Sequence, residues 1–392
     1  MTLAHDDKGD RSGLGQKSDK KPADLFNLIE VGASCLWPFI FLKELEDAAV
    51  GTVKDRRKFF EVVERTQVER PRPTWSTNNE VLLQLNTMLL RNFTPGRKGT
   101  CTLVVAPYAG HSSTIVDFRK GQSLVEELIH DGVGRVAVTD WKSATEDMRN
   151  YVIDDYLKEL DVAVDKLGGR VNLAGMCQGG WLSAMYAARF PSKVNSLVLG
   201  GAPIDTSSGE GLVKDYAQQY PMDLFEELVA TGDGLMRGEY LLFGFKSLHP
   251  EKQYVDKFVE LYENIEDPSY VEKFEHFERW YEYTLTLPGR WYLQVVRELF
   301  KENRFFNGSF VALGKNISLA DIKCPVLLLV GENDDITPPA QVFNTEKRLG
   351  TKKSQIVKMV AKGGHIGLFM GTRTLRETWP KIAHWIKANT KR

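Results

Sequence analysis

The 392-residue sequence has little of what several function classes need. Its four cysteines, Cys35, Cys101, Cys177 and Cys324, are scattered and form no Cys-x-x-Cys pair. That excludes a disulfide framework and a dithiol redox motif, and it suits a reducing, cytoplasmic compartment. A net charge of −1 gives no global electrostatic basis for holding nucleic acid. Apolar runs are short. Residues 35–42 are the best of them, and they contain Pro38, so no transmembrane segment is expected. Zinc-type His/Cys spacing, a phosphate-cradling glycine loop and a dinucleotide fingerprint are all missing, so no metal and no cofactor is expected. There is no internal repeat.

What is present is a change of rhythm. Residues 1–22 are polar, lack the apolar core of a signal peptide, and read as a disordered tail. Residues 23–95 read as a helical N-terminal region, with helix-like spacing at Phe59-Phe60-Glu61-Val62-Val63 and at Val81-Leu82-Leu83-Gln84-Leu85. From residue 96, short β-branched runs (101–106, 133–139, 171–176, 194–200) alternate with helical patterns. That alternation predicts an α/β fold with a mostly parallel sheet and helices on both faces. Residues 204–316 break it. They are helical in pattern and rich in aromatics, and read as a cap inserted into a core of residues 96–203 and 317–392.

The most informative stretch is Gly175-Met176-Cys177-Gln178-Gly179-Gly180, after an apolar run and before a helical one. A strand, a glycine-crowded turn and a helix form a nucleophile elbow, here with Cys where serine is usual. The helix N-terminus favours a thiolate and a developing oxyanion. A nucleophile of this kind needs a base and a carboxylate to orient it, on loops that follow strands. His365, between glycines late in the chain, is the candidate base. Asp334, in Gly331-Glu332-Asn333-Asp334-Asp335, is the candidate carboxylate, with Asp335 as its competitor. The oxyanion donors expected are the N–H of Gln178 and that of Tyr108 or Ala109. His111 is expected to meet substrate or to pin its loop. The aromatics of the helical stretch, Trp280, Tyr281 and Trp291 among them, read first as core and second as pocket wall.

At these residues the sequence resembles the polyhydroxyalkanoate family of α/β-hydrolases, which contains polymer synthases and intracellular depolymerases. The elbow, Phe190-Pro191-Ser192-Lys193-Val194 and Leu287-Pro288-Gly289-Arg290-Trp291 resemble the synthases. Pro107-Tyr108-Ala109-Gly110-His111, Thr139-Asp140-Trp141, the Asp334 loop and Gly364-His365-Ile366-Gly367 are more like the depolymerases. The resemblance implies an α/β-hydrolase fold with Cys177, Asp334 and His365 as its triad; Trp291, in addition to His111, is the further residue expected at the substrate. The resemblance also implies a 3-hydroxyacyl polyester or thioester substrate, with association at a polymer-granule surface and a homodimer as further expectations. On balance the loops put hydrolysis of 3-hydroxyacyl esters through an acyl-Cys177 intermediate first. A synthase using 3-hydroxyacyl-coenzyme A, or an acyl-coenzyme A thioesterase, is the alternative.

Overall fold

The computed structural model describes residues 53–390. The polar tail and the apolar run at 35–42 lie outside them. Eight strands form one sheet: β1 (Glu80–Gln84), β2 (Met88–Asn92), β3 (Cys101–Val105), β4 (Arg135–Trp141), β5 (Val171–Met176), β6 (Val194–Gly200), β7 (Val326–Gly331) and β8 (Ile356–Ala361). Their order across the sheet is β1-β2-β4-β3-β5-β6-β7-β8. β2 runs antiparallel to both its neighbours, and β3 to β8 are parallel. This is the α/β-hydrolase arrangement. The interior strands β3, β5, β6 and β7 are buried at every position, as a parallel sheet covered on both faces requires.

The helices follow from simple signals. Ser123 caps α2 (Leu124–His130) by accepting from the Glu126 N–H. α3 (Ile153–Lys166) buries Ile153, Tyr156, Leu157, Leu160 and Val164, the stripe its periodicity predicts. α4 (Gln178–Arg189) follows the elbow and is buried along most of its length. Trp379–Ala388 closes the fold with Trp379, Ile382 and Ile386 inward.

One expectation fails. Of residues 81–85, the first four are strand and none is helix, so the sheet begins within the stretch read as a helical N-terminal region. Five residues are too few for apolar spacing to separate the two states. The turn settles it: the N–H groups of Asn86 and Thr87 both donate to the Glu159 carboxylate, folding β1 back on β2. Arg91 of β2 then pairs with Asp140 of β4 at 2.6 Å. The other predicted piece, α1 (Val53–Val63), is helical. Its Phe59, Val62 and Val63 pack on Phe258, Leu261 and Tyr262, away from the sheet.

Between β6 and β7 the chain is mainly helical. It includes α5 (Leu212–Gln219), α6 (Met222–Thr231), α7 (Gly238–Leu248), α8 (Lys257–Glu263), α9 (Pro268–Glu282) and α10 (Gly289–Gln294). A short hairpin of Phe310–Ala312 with Lys315–Ile317 follows. Asp205, at the start of this stretch, is buried and accepts from Ser207, Ser208, Asn303 and Asn344, so it ties the entry of the stretch to its exit. No helix of the described residues is long and apolar enough to cross a membrane.

Candidate active site

β5 ends at Met176, and Cys177 takes φ 51° and ψ −120° before α4 begins at Gln178. A non-glycine residue at positive φ is strained, and here it is held from several sides. The Cys177 N–H donates to the Gly200 carbonyl at 2.8 Å. A Cβ on Gly175 would stand 2.6 Å from the Gly179 carbonyl oxygen, and one on Gly180 would stand 2.3 Å from the Ala202 Cβ. The glycines let strand, helix and neighbouring strand ends approach closely enough to fix the turn.

Asp334 leaves the end of β7 with its carboxylate fully engaged. Oδ1 accepts from the Ile336 N–H at 3.1 Å and the Thr337 N–H at 2.7 Å, and Oδ2 lies 2.8 Å from Nδ1 of His365. Asp335 does something else. It is half-exposed at the cavity rim, 2.9 Å from Nε2 of His249. The structure therefore brings Asp334, and not its neighbour, to His365.

His365 follows β8 and is buried. Gly201, at φ 54°, makes room for it: a Cβ there would lie 3.1 Å from the imidazole Cε1. With Nδ1 committed to Asp334, Nε2 is left buried with no hydrogen bond of sound geometry. Burial on its own would lower the imidazole pKa. The negative charges of Cys177 and Asp334 outweigh it and raise the value well above the ordinary histidine range.

A cavity of about 310 Å³ opens over Cys177 and His365. Ala109 lines it. Tyr108 does not; its ring turns the other way, against Trp141, Tyr156 and Trp291. Among the described residues none accepts a hydrogen bond from the N–H of Gln178 or of Ala109. Ala109 shares the cavity with Cys177, and Gln178 is the residue after that cysteine, at the start of α4.

His111 lines the same cavity, stacked on Tyr281 and flanked by Trp280 and Phe245. Burial lowers its pKa to about 4; the Glu282 charge opposes that shift and the Lys246 charge adds to it. It is a neutral imidazole at neutral pH. Trp291, expected near substrate, is placed elsewhere. It is buried against Trp181, Tyr108 and Tyr156, beside Gln178 and Gly179, so its ring is taken up by packing and does not line the cavity. The wall over the cavity comes instead from Phe245, Leu248, Phe277, Trp280 and Tyr281, with Phe369 from the sheet side.

One group went unread in the sequence. Glu282 of α9 is buried and meets Lys246 of α7 at 2.6 Å, while Glu278 meets Lys257 at 2.7 Å. The spacing of Glu278 and Glu282, four apart and so on one helix face, was the available signal.

A family described as "Protein of unknown function (DUF3141)" matches residues 78–389. A poly(3-hydroxyalkanoate) polymerase subunit PhaC of Allochromatium vinosum is 30% identical over 290 residues, which are 72% of this chain and 78% of that protein. The chain belongs to both families. The subunit of the same name from Haloferax mediterranei is 29% identical over 278 residues, and there the match spans 69% of this chain but 55% of the relative. Among solved structures, an esterase of Thermogutta terrifontis is similar over 80% of this chain and 100% of its own, at 16% identity and a TM-score of 0.48. The Paleococcus ferrophilus monoacylglycerol lipase is similar over 77% and 99%, at 18% identity and 0.47. Strand order and elbow define the fold of this polymerase relative more directly than those likenesses do.

Proposed function

We propose that the chain is an acyltransferase of the polyhydroxyalkanoate polymerase kind, with Cys177 as nucleophile, His365 as proton carrier and Asp334 as the group that orients it. The observation that carries this reading is the Cys177 elbow facing a His365 whose Nδ1 is held by Asp334. The Cys177 thiolate attacks the carbonyl carbon of a 3-hydroxyacyl-coenzyme A thioester. The N–H groups of Gln178 and Ala109 hold the oxyanion. The C–S bond to coenzyme A breaks, and the leaving thiolate takes the proton from Nε2 of His365. The acyl group is now a thioester on Cys177. Nε2 next removes the proton from the 3-hydroxyl of a chain end, and that oxygen attacks the acyl carbon. The ester forms, and the Cys177 thiolate is restored.

Sulfur suits this exchange because thioesters form and break readily. The apolar wall of Phe245, Leu248, Phe277, Trp280 and Tyr281 suits it too, since it keeps competing water scarce around the acyl-enzyme. The sequence loops put hydrolysis first; the polymerase names of the curated relatives move the weight to transfer. Residues 204–316 act as the cap in this reading, and a polyester granule is the surface on which product accumulates.

The test is product analysis. Native protein and Cys177→Ala are given 3-hydroxybutyryl-coenzyme A, and free thiol, polymer and free acid are all measured. Thiol release with growing polymer, lost in Cys177→Ala, is expected. Thiol release with free acid alone would replace transfer by hydrolysis.

A further inference from the structure

A second cleft, of about 210 Å³, lies on the far side of Trp280 from the catalytic cavity. Its walls include Arg119, Lys120, His276 and Arg279, with Ser76 and Thr114. The charge is of one sign. Among the described residues, no carboxylate lies within ion-pair distance of Arg119, Lys120 or Arg279, and none lines the cleft. Arg119 spends only its Nε, on Gln122 at 2.8 Å. His276 lies edge-on to Phe118.

Nearby acids are already committed. Asp117 accepts from the N–H and hydroxyl of both Ser76 and Thr77 and from the Ser123 hydroxyl. Glu275 pairs with Arg65, and Glu278 with Lys257 and Gln67. Three cations therefore line a concave space that, among the described residues, has no carboxylate in its own walls; Asp117 keeps its charge but lies behind Ser76 and Thr77. Such a space concentrates field and attracts anions. The hydroxyls sharpen the selection. Those of Ser76 and Thr114 already donate, to Asp117 and Ser112, so the donors left open to a ligand are the charged side chains. The guanidinium forks of Arg119 and Arg279 and the point charge of Lys120 match the oxygens of a phosphate.

We propose that this cleft is a phosphate-binding site. Two sources share the chemistry. One is the phosphate-bearing end of the coenzyme A carrier, and for that source the proposal rests on the acyltransferase reading above. The other is a free phosphate or pyrophosphate.

Calorimetric titration of the full chain with pyrophosphate and with coenzyme A tests it. The proteins compared are native, Cys177→Ala, and the double variant Lys120→Gln/Arg279→Gln, with a thermal melt to show that the variant is folded. Pyrophosphate is expected to bind, more weakly as salt rises, and the double variant is expected to bind at least about tenfold more weakly. Competition between coenzyme A and pyrophosphate assigns the site to the carrier; pyrophosphate binding that coenzyme A does not displace assigns it to free phosphate. Cys177→Ala is expected to bind as native does, so the site stands even if no acyl transfer is found. The proposal is overturned if the folded double variant binds pyrophosphate as native does, or if native binds neither anion.

Discussion

Gly179 lies against the end of β3 so closely that a Cβ on it would stand 2.2 Å from the Val105 carbonyl oxygen and 2.6 Å from that of Ala106. Both obstacles are backbone, one the last residue of a strand buried on both faces and the other the residue after it, so neither can step aside. Gly179→Ala is expected to push α4 away and to cost about 1–3 kcal/mol or more, as overpacking of a core does. Thiol-release activity should fall further than stability alone explains, because the shift moves the Gln178 N–H. Urea unfolding and thiol release on the same protein check it. A variant with native stability and activity would show that the contact is slack.

Asp334 and Asp335 are neighbours with opposite expected phenotypes. Asp334→Asn keeps the shape but removes the charge beside Nδ1 of His365, and a loss of at least about a thousandfold in rate is expected by analogy with other triads. Asp335→Asn touches only a half-exposed pair with His249, and a stability change under about 1 kcal/mol is expected. Steady-state rates of the two variants check the assignment, and equal losses would sink it.

His365 should hold its proton to higher pH than a free histidine does. Its pKa is raised, against the effect of burial, by the charges of Cys177 and Asp334. The stability this gives is complete below the unfolded histidine value and is lost as pH rises through the folded one. Asp334→Asn removes one of the two charges, so the proton should leave at lower pH. Nitrogen-15 NMR of labelled histidine follows this, and the same titration in both proteins would falsify it.

His111 should do the reverse. Its pKa is lowered to about 4 in the folded protein, so the unfolded chain binds more protons between that value and the ordinary one near 6.5. Stability is expected to fall as pH drops through this window. His111→Phe should flatten that part of the curve. Denaturation midpoints at pH 7 and pH 5 for the two proteins measure the difference.

The buried pair of Glu282 and Lys246 gives a fourth contrast. Glu282→Gln leaves Lys246 without its partner in the interior and should cost about 3–5 kcal/mol. The double change Lys246→Met/Glu282→Leu should recover most of that, since the cost lies in an unpaired charge. A double variant no more stable than Glu282→Gln would argue that the pair holds α7 on α9 in some other way.

Much of this was legible before the fold was seen. The elbow, the strands of the parallel sheet and the order Cys177, Asp334, His365 depend on short-range signals: glycine turns, β-branched runs and loops directly after strands. What failed depended on the third dimension. The run at Val81 lacked length, and the alternating burial of Met88, Leu90 and Asn92 beside it is not written in the sequence, where Leu89 is apolar and Asn92 polar. Trp291 and Trp280 look alike as aromatics in a helical stretch, and only packing sends one to a place beside Gln178 and Gly179 and the other to the cavity. Glu282 and Lys246 are ordinary surface residues by composition, and their burial together is set by how α7 meets α9.

The cavity wall has a further consequence. Phe245, Leu248, Phe277, Trp280 and Tyr281 all come from one continuous stretch, whereas Cys177, Asp334 and His365 come from three loops of the sheet. In the acyltransferase reading, substrate shape and bond-making are thus written in separate parts of the sequence. A descendant could change what it accepts by drift within some forty residues while its chemistry stayed under independent selection.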